Sequence, residues 1–199
     1  MMGDRYKDGF LVPTLACVMA YLMRVLPMGW LECVWPRRFK EPSPVDTERY
    51  VLGWLVFGLV ISIAVCSLYD CVAAVRWLVY IVAGLRGLEI IVRAASVGDI
   101  KNVVDPVRTL VLAAINYVEL MLWFGLIYAL NYQSLVDQSL GDHSAPAGPI
   151  TAFYFSIITQ LTIGYGDVYA TGWLRIVAAA QGLIGALFVI VVLGRAVSR

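Results

Sequence analysis

Charge is scarce in this chain. Of its 199 residues, 15% are charged and 61% are hydrophobic, whereas soluble domains carry roughly 25% charge. That scarcity excludes an ordinary soluble domain and points to several membrane spans. A formal net charge of +1 argues against nucleic acid as a partner. Histidine occurs once, as His143, and cysteine four times, as Cys17, Cys33, Cys66 and Cys71. No C-x-x-C pair or His/Cys metal spacing is present. Free thiols packed in helices are therefore expected, with a Cys66–Cys71 bridge as the alternative. No cleavable leader is evident, because the first apolar run follows a mixed-charge start and lacks a small-residue cleavage site. No G-K-[ST] follows the glycines, and no His/Ser or His/Cys constellation is visible, so neither an enzyme nor a cofactor is expected.

Apolar runs are what the chain has in excess. Residues 10–35 are apolar but broken by Pro13, Arg24, Pro27 and Glu32. Their uninterrupted part falls short of the ~20 residues a span needs. Two readings stand: an interfacial helix on the cytosolic face, or a kinked span with Arg24 snorkelling. Together with the basic, proline-rich residues 36–49 they form a first unit, 1–49, whose linker the positive-inside rule places in the cytosol. Residues 50–96 read as a two-helix transmembrane hairpin. Its first helix has no charge over ~20 residues, and Asp70 marks the outer edge. Its second carries Arg76, Arg86, Glu89 and Arg93. The last three share one helical face, which predicts snorkelling at the inner edge and an Arg–Glu pair turned toward protein.

The third unit is 97–199. Residues 97–108 are a polar cytosolic connector, and Asp105-Pro106 suits a helix start. Residues 109–132 span from the side of Arg108 and hold Asn116 and Glu119 near mid-bilayer on one face. A carboxyl at that depth is costly and marks a functional candidate. The other reading of Glu119 is structural, either protonated or bonded to a neighbouring helix. Residues 133–149 contain Gly141, Pro146, Gly148 and Pro149, which predict a loop without regular elements. His143 lies there, either merely solvated or an external proton sensor, since its unperturbed pKa is ~6.5. Residues 150–161 predict a helix of about three turns, with Thr151 as its cap and Pro149 barring an earlier start. It is too short to span, while 173–195 is long enough. Between the two stand Thr162, Ile163, Gly164, Tyr165, Gly166 and Asp167. Glycine reaches positive φ without steric cost. Gly164 and Gly166 thus allow the dihedral alternation that aims successive carbonyls at one axis, while the stiff, β-branched Ile163 packs outward.

This stretch and its flanking helices resemble the pore domain of the potassium channel family, over residues 109–199 and poorly before them. The resemblance implies an all-α membrane fold: outer helix 109–132, turret 133–149, re-entrant pore helix 150–161, filter 162–167 and inner helix 173–195. It implies that the carbonyls of Thr162, Ile163, Gly164 and Tyr165, with the Thr162 hydroxyl at the inner end, bind K+ in place of water. Gly166 completes the filter. Tyr165 would point away from the ions and brace the filter against its pore helix. Tyr154 and Phe155 stand where relatives carry a bracing aromatic pair, although Phe155 lacks the donor of a Trp. Asp167 would bond Tyr154, and Tyr169 would ring the outer mouth and bind external tetraethylammonium. Leu161 and Ile158 depart from the family pattern, which bears on the support of the filter rather than on its ligands. Gly182 and Gly185 are either packing glycines or a gating hinge. The arginine at every third residue that marks voltage-sensing helices in the family is missing from 71–95.

One such motif per chain implies a homotetramer with cyclic symmetry. The expected function is passive, K+-selective conduction across the lipid bilayer of the plasma membrane. The alternatives are a poorly selective cation channel of the same fold and a non-conducting or modulatory subunit. No ligand-sensing domain is expected after the inner helix, so gating would fall to the N-terminal helices, lipid, the filter itself or a regulatory partner.

Overall fold

A computed structural model describes residues 44–67, 76–96, 106–140 and 146–197. The readings of 1–43, of Asp70, Cys71 and Asp105, and of His143 lie outside the described residues. The fold is all-α, with five helices among the described residues. They are α1 (Pro44–Ser67), α2 (Arg76–Ser96), α3 (Pro106–Ala129), α4 (Pro149–Gln160) and α5 (Leu174–Val197). The helices α1, α3 and α5 are long and apolar enough to cross a membrane. The charges Arg76, Arg86, Glu89 and Arg93 interrupt α2. Cys66 is a free, exposed thiol.

Side-chain pairs fix how the helices run. Arg108 binds Glu48 at 2.7 Å, so the first turns of α1 and α3 lie at one level and the two run parallel. Asn131, just past α3, donates to the Tyr80 hydroxyl near the start of α2 at 2.6 Å, so α2 runs the other way. Along α5, Gln181 meets Tyr128 of α3 and Phe188 stacks on Tyr117 at 5.3 Å, which makes α5 antiparallel to α3. The short α4 also runs antiparallel to α3, with Phe153 against Gly125, Ser156 against Met121 and Gln160 against Tyr117. At 12 residues it is ~18 Å long at 1.5 Å per residue and stops inside the bundle. The main core gathers Trp123, Leu126, Tyr128, Phe155, Ile158 and Leu174 where α3, α4 and α5 meet.

The turret differs from its sequence reading. It contains β1 (Leu135–Asp137), which pairs antiparallel with β2 (Val168–Ala170) beyond the filter, with Val136 opposite Tyr169. Short 3-10 turns at Tyr132–Ser134 and Gln138–Leu140 flank β1. The glycines and prolines around it concealed a three-residue strand. Leu135 and Ala147 are fully buried, and buried backbone must find hydrogen-bond partners; a two-stranded ladder supplies them. The start of α4 is also corrected. Gly148 is its N-cap and Pro149 its first residue, because proline lacks only a donor that the first turn leaves unpaired anyway. Thr151 therefore lies inside the helix. The outer helix begins and ends three residues earlier than the sequence suggested.

Gly125 is where α3 and α4 touch. A Cβ there would stand 2.4 Å from the Phe153 ring, well inside van der Waals contact. Gly125→Ala is expected to destabilise the protein by about 1–3 kcal/mol through overpacking, with much of the loss recovered on adding Phe153→Leu. Thermal unfolding of the detergent-purified chain checks this.

Candidate functional site

The site begins at the end of α4. Leu161 N–H still bonds the Ile157 carbonyl at 3.0 Å, and Thr162 N–H bonds Thr159 at 3.1 Å. The chain then leaves the helix, but its next two amides turn back to one acceptor. Ile163 N–H and Gly164 N–H reach the Ile158 carbonyl at 2.8 and 3.4 Å. With these amides occupied behind the segment, its own carbonyls stay available. Backbone φ is +56° at Thr162, +56° at Gly164 and +81° at Gly166. Every second residue is thus left-handed, the alternation expected of this stretch. The two glycines adopt it without strain. Thr162 is the only non-glycine with positive φ among the described residues, and for a β-branched side chain that conformation is an outlier. Strain of this kind concentrates at functional segments.

Residues 161–166 are all exposed in the single chain. Tyr165 is 70% exposed, and its hydroxyl has no hydrogen-bond partner among the described residues. Among the described residues α4 does not hold it, contrary to the brace expected from the resemblance. Phe155 packs away from the filter, edge-on to Tyr128 at 5.0 Å, on the α3 side of α4. Tyr154 faces the other way and donates its hydroxyl to Asp167 Oδ2 at 2.7 Å. That hydrogen bond, with the carboxylate charge, pushes the phenol up to about 12, so it remains a donor throughout the neutral range. Asp167 also accepts Val168 N–H at 3.0 Å, and its carbonyl accepts Gln138 N–H at 2.9 Å. Tyr169 is 38% exposed on β2. The outer end of 162–167 is thereby tied to both α4 and the segment that carries β1.

The Glu119 carboxyl is paired. Arg86 grips Glu119 with two bonds, Nε to Oε1 at 2.7 Å and Nη2 to Oε2 at 2.9 Å. Trp123 donates its indole N–H to Oε1 at 3.0 Å. Arg86 also binds Glu89 at 2.9 Å, and Glu89 receives Arg93 at 3.0 Å and the Tyr50 hydroxyl. The guanidinium lies over the Tyr50 and Trp54 rings at 5.1 and 5.4 Å. Two carboxylates and two arginines balance, and α1, α2 and α3 are joined in one network. Glu119 is therefore bonded to a neighbouring helix, as one of its two readings held, and Arg86 and Glu89 form the inward-facing pair read from α2. Asn116 takes no part, and its Oδ1 has no partner among the described residues.

Sequence reasoning missed a second polar cluster, behind α4. Gln181, fully buried on α5, accepts the Tyr128 hydroxyl at 2.8 Å and donates to Ser156 O and Oγ at 3.0 and 2.9 Å. Ser156 in turn donates to Met121 O. One signal was present: Gln181 is the lone amide in the apolar run after Arg175, and polar groups within spans are rare. Of the two candidate hinge glycines, Gly182 has open space where a Cβ would go. At Gly185 a Cβ would fall 2.7 Å from the Gln160 carbonyl, which makes Gly185 a contact glycine. The Gln160 side-chain amide is buried, with neither atom partnered among the described residues.

With this geometry in place the chain can be compared with known proteins. Residues 117–199 match a family model, Ion_trans_2, described as an ion channel. Over these residues the chain is similar to that ion channel family. The match spans the latter part of α3, the turret, α4, the filter stretch and α5, less than half of the chain. No curated protein and no solved structure matches. With three apolar helices of spanning length, the protein is an integral membrane protein.

Two sets of variants check these clusters by thermal unfolding. Glu119→Ala takes from buried Arg86 its two-bond partner and leaves two arginines to share Glu89, and is expected to cost about 3–5 kcal/mol. Combining Arg86→Met with Glu119→Leu is expected to cost much less than the two single changes added. Gln160→Met removes an amide that has no partner, and is expected to leave stability unchanged or raise it by up to about 1 kcal/mol.

Proposed function

We propose that the protein is a potassium-selective channel that conducts K+ passively through the segment Thr162–Gly166, four copies of which face one axis in a homotetramer. The observation that carries this reading is the left-handed φ at Thr162, Gly164 and Gly166. Such alternation orients successive carbonyls alike, so that four chains can replace the hydration shell of an ion with main-chain oxygen. Carbonyls suit the task because they carry partial rather than full charge, and a bound ion can leave again. Thr162, Ile163, Gly164 and Tyr165 are the K+ ligands in this account.

Two further features support it. First, α4 ends where the filter begins, so the negative end of its dipole points to the inner side of the ion sites and favours a cation there. Second, the exposed faces suit assembly. Leu161, Ile163 and Tyr165, and on α5 Ile176, Leu183, Leu187 and Ile190, are exposed in the single chain. Some of this surface meets neighbouring chains and the rest meets lipid. The membrane in question is the plasma membrane, with the turret outside and the starts of α1 and α3 in the cytosol, as the basic residues of 36–49 require.

Bilayer recording of the purified chain, with potassium on one side and sodium on the other, tests the reading. The expected current reverses near the potassium equilibrium potential. Equal sodium current would instead indicate a poorly selective cation channel, and silence a non-conducting subunit. External tetraethylammonium is expected to block, with block lost in Tyr169→Val; insensitivity of the wild type would show that the four tyrosines do not face the axis.

A further inference from the structure

The inner and pore helices meet along a seam with two rungs. On α4 the rungs are Ser156 and Gln160, four residues apart; on α5 they are Gln181 and Gly185, also four apart. Residues so spaced lie on one helical face, so the two pairs align. The upper rung is polar: Gln181 Nε2 holds Ser156 O and Oγ at 3.0 and 2.9 Å. The lower rung is steric: Gly185 lets the Gln160 carbonyl approach so closely that a Cβ would fall 2.7 Å from it. That same carbonyl accepts the Tyr117 hydroxyl at 2.8 Å, and the Tyr117 ring stacks on Phe188 of α5. Between the rungs lies Ile158, whose carbonyl receives the Ile163 and Gly164 amides. The two filter residues that hang from α4 therefore hang from the turn that α5 grips.

We infer that Gln181 is a positioning residue for ion selection: through Ser156 it holds the last turn of α4, and so the filter carbonyls, at the spacing K+ requires. This rests on the reading of 162–166 as a K+ filter. Every polar atom of the rung is satisfied. Tyr128 orients the Gln181 amide by donating to its Oε1 at 2.8 Å, which leaves the NH2 facing α4. A fully satisfied buried network rigidifies and specifies one arrangement, and replacement of ion hydration by protein oxygen depends on where those oxygens stand. The seam also limits motion. If α5 bends, it bends on the cytosolic side of Gly185, since bending above that point would break both rungs.

The test is the reversal potential of the reconstituted full chain between potassium and sodium solutions. The variants are Gln181→Met, close in length but without hydrogen bonds, Tyr128→Phe, which removes only the orienting hydroxyl, and Gly185→Ala at the lower rung. The wild type is expected to be K+-selective. Tyr128→Phe is expected to lower the K+ over Na+ permeability ratio by roughly two- to tenfold, the range that one hydrogen bond of ordinary net worth corresponds to, and Gln181→Met and Gly185→Ala are expected to lower it at least as much. Tyr128→Phe and Gln181→Met together are expected to act no more than the stronger of the two alone, because they break one chain of bonds. If variants melt at lower temperature but reverse at the wild-type potential, Gln181 is a packing residue and the inference is overturned. Should Gln181→Met fail to assemble, Tyr128→Phe decides by the same criterion. A wild type without K+ selectivity would overturn the filter reading itself, and this inference with it.

Discussion

Successive carbonyls can point to one side of a chain only if the backbone changes hand at every second residue. In the proposed channel that requirement governs the second half of this protein. It places glycine at 164 and 166 and holds Thr162 in a conformation that β-branched residues avoid, at a local cost of roughly 1–2 kcal/mol. The amides of Ile163 and Gly164 turn back to the helix behind them rather than to a ladder. The segment is supported from behind and at its ends. Ile158 supplies the support behind, and Asp167, with Tyr154 and Gln138, supplies it at the outer end. The two-stranded β1–β2 ladder then joins that end to the turret.

Burial of polar groups in the remainder follows one rule: each is paired, or it is conspicuous. Arg86, Glu89 and Glu119 are almost wholly buried, and each has bonds to opposite charge or aromatic donors. A desolvated ion pair is weak as a source of stability but costly to break. The network thus fixes α1 and α2 against α3 more than it strengthens the fold. The Gln181 cluster fixes α5 against α4 and α3 in the same manner. The short helix α4 is held from both sides, by α3 through Gly125 and by α5 through Gly185, and both contacts depend on the missing Cβ.

The sequence was most legible where backbone chemistry allows few residues. The two glycines of T-I-G-Y-G-D announced the left-handed turns at 164 and 166, though not the one at Thr162, and the Tyr154–Asp167 bond follows from the resemblance that this motif carries. Long apolar runs announced the spans, since hydrocarbon thickness sets their length. What stayed illegible were pairings between distant segments. Arg86 and Glu119 are 33 residues apart, and Tyr128 and Gln181 are 53 apart; one-dimensional spacing gives each a face but no partner. The Gly182 and Gly185 pair shows the same limit, because only the approach of Gln160 distinguishes them. The β1 strand escaped because three residues among prolines and glycines leave no alternating pattern to read.

The account stands or falls on the handedness of the backbone at the filter glycines. The most direct measurement places D-alanine or L-alanine at position 166 by semisynthesis and compares K+ over Na+ selectivity in bilayers. D-alanine favours the positive φ of +81° found there, and L-alanine disfavours it. The account predicts selective K+ current with D-alanine and its loss with L-alanine. An L-alanine protein that conducts K+ as selectively as the wild type would contradict it.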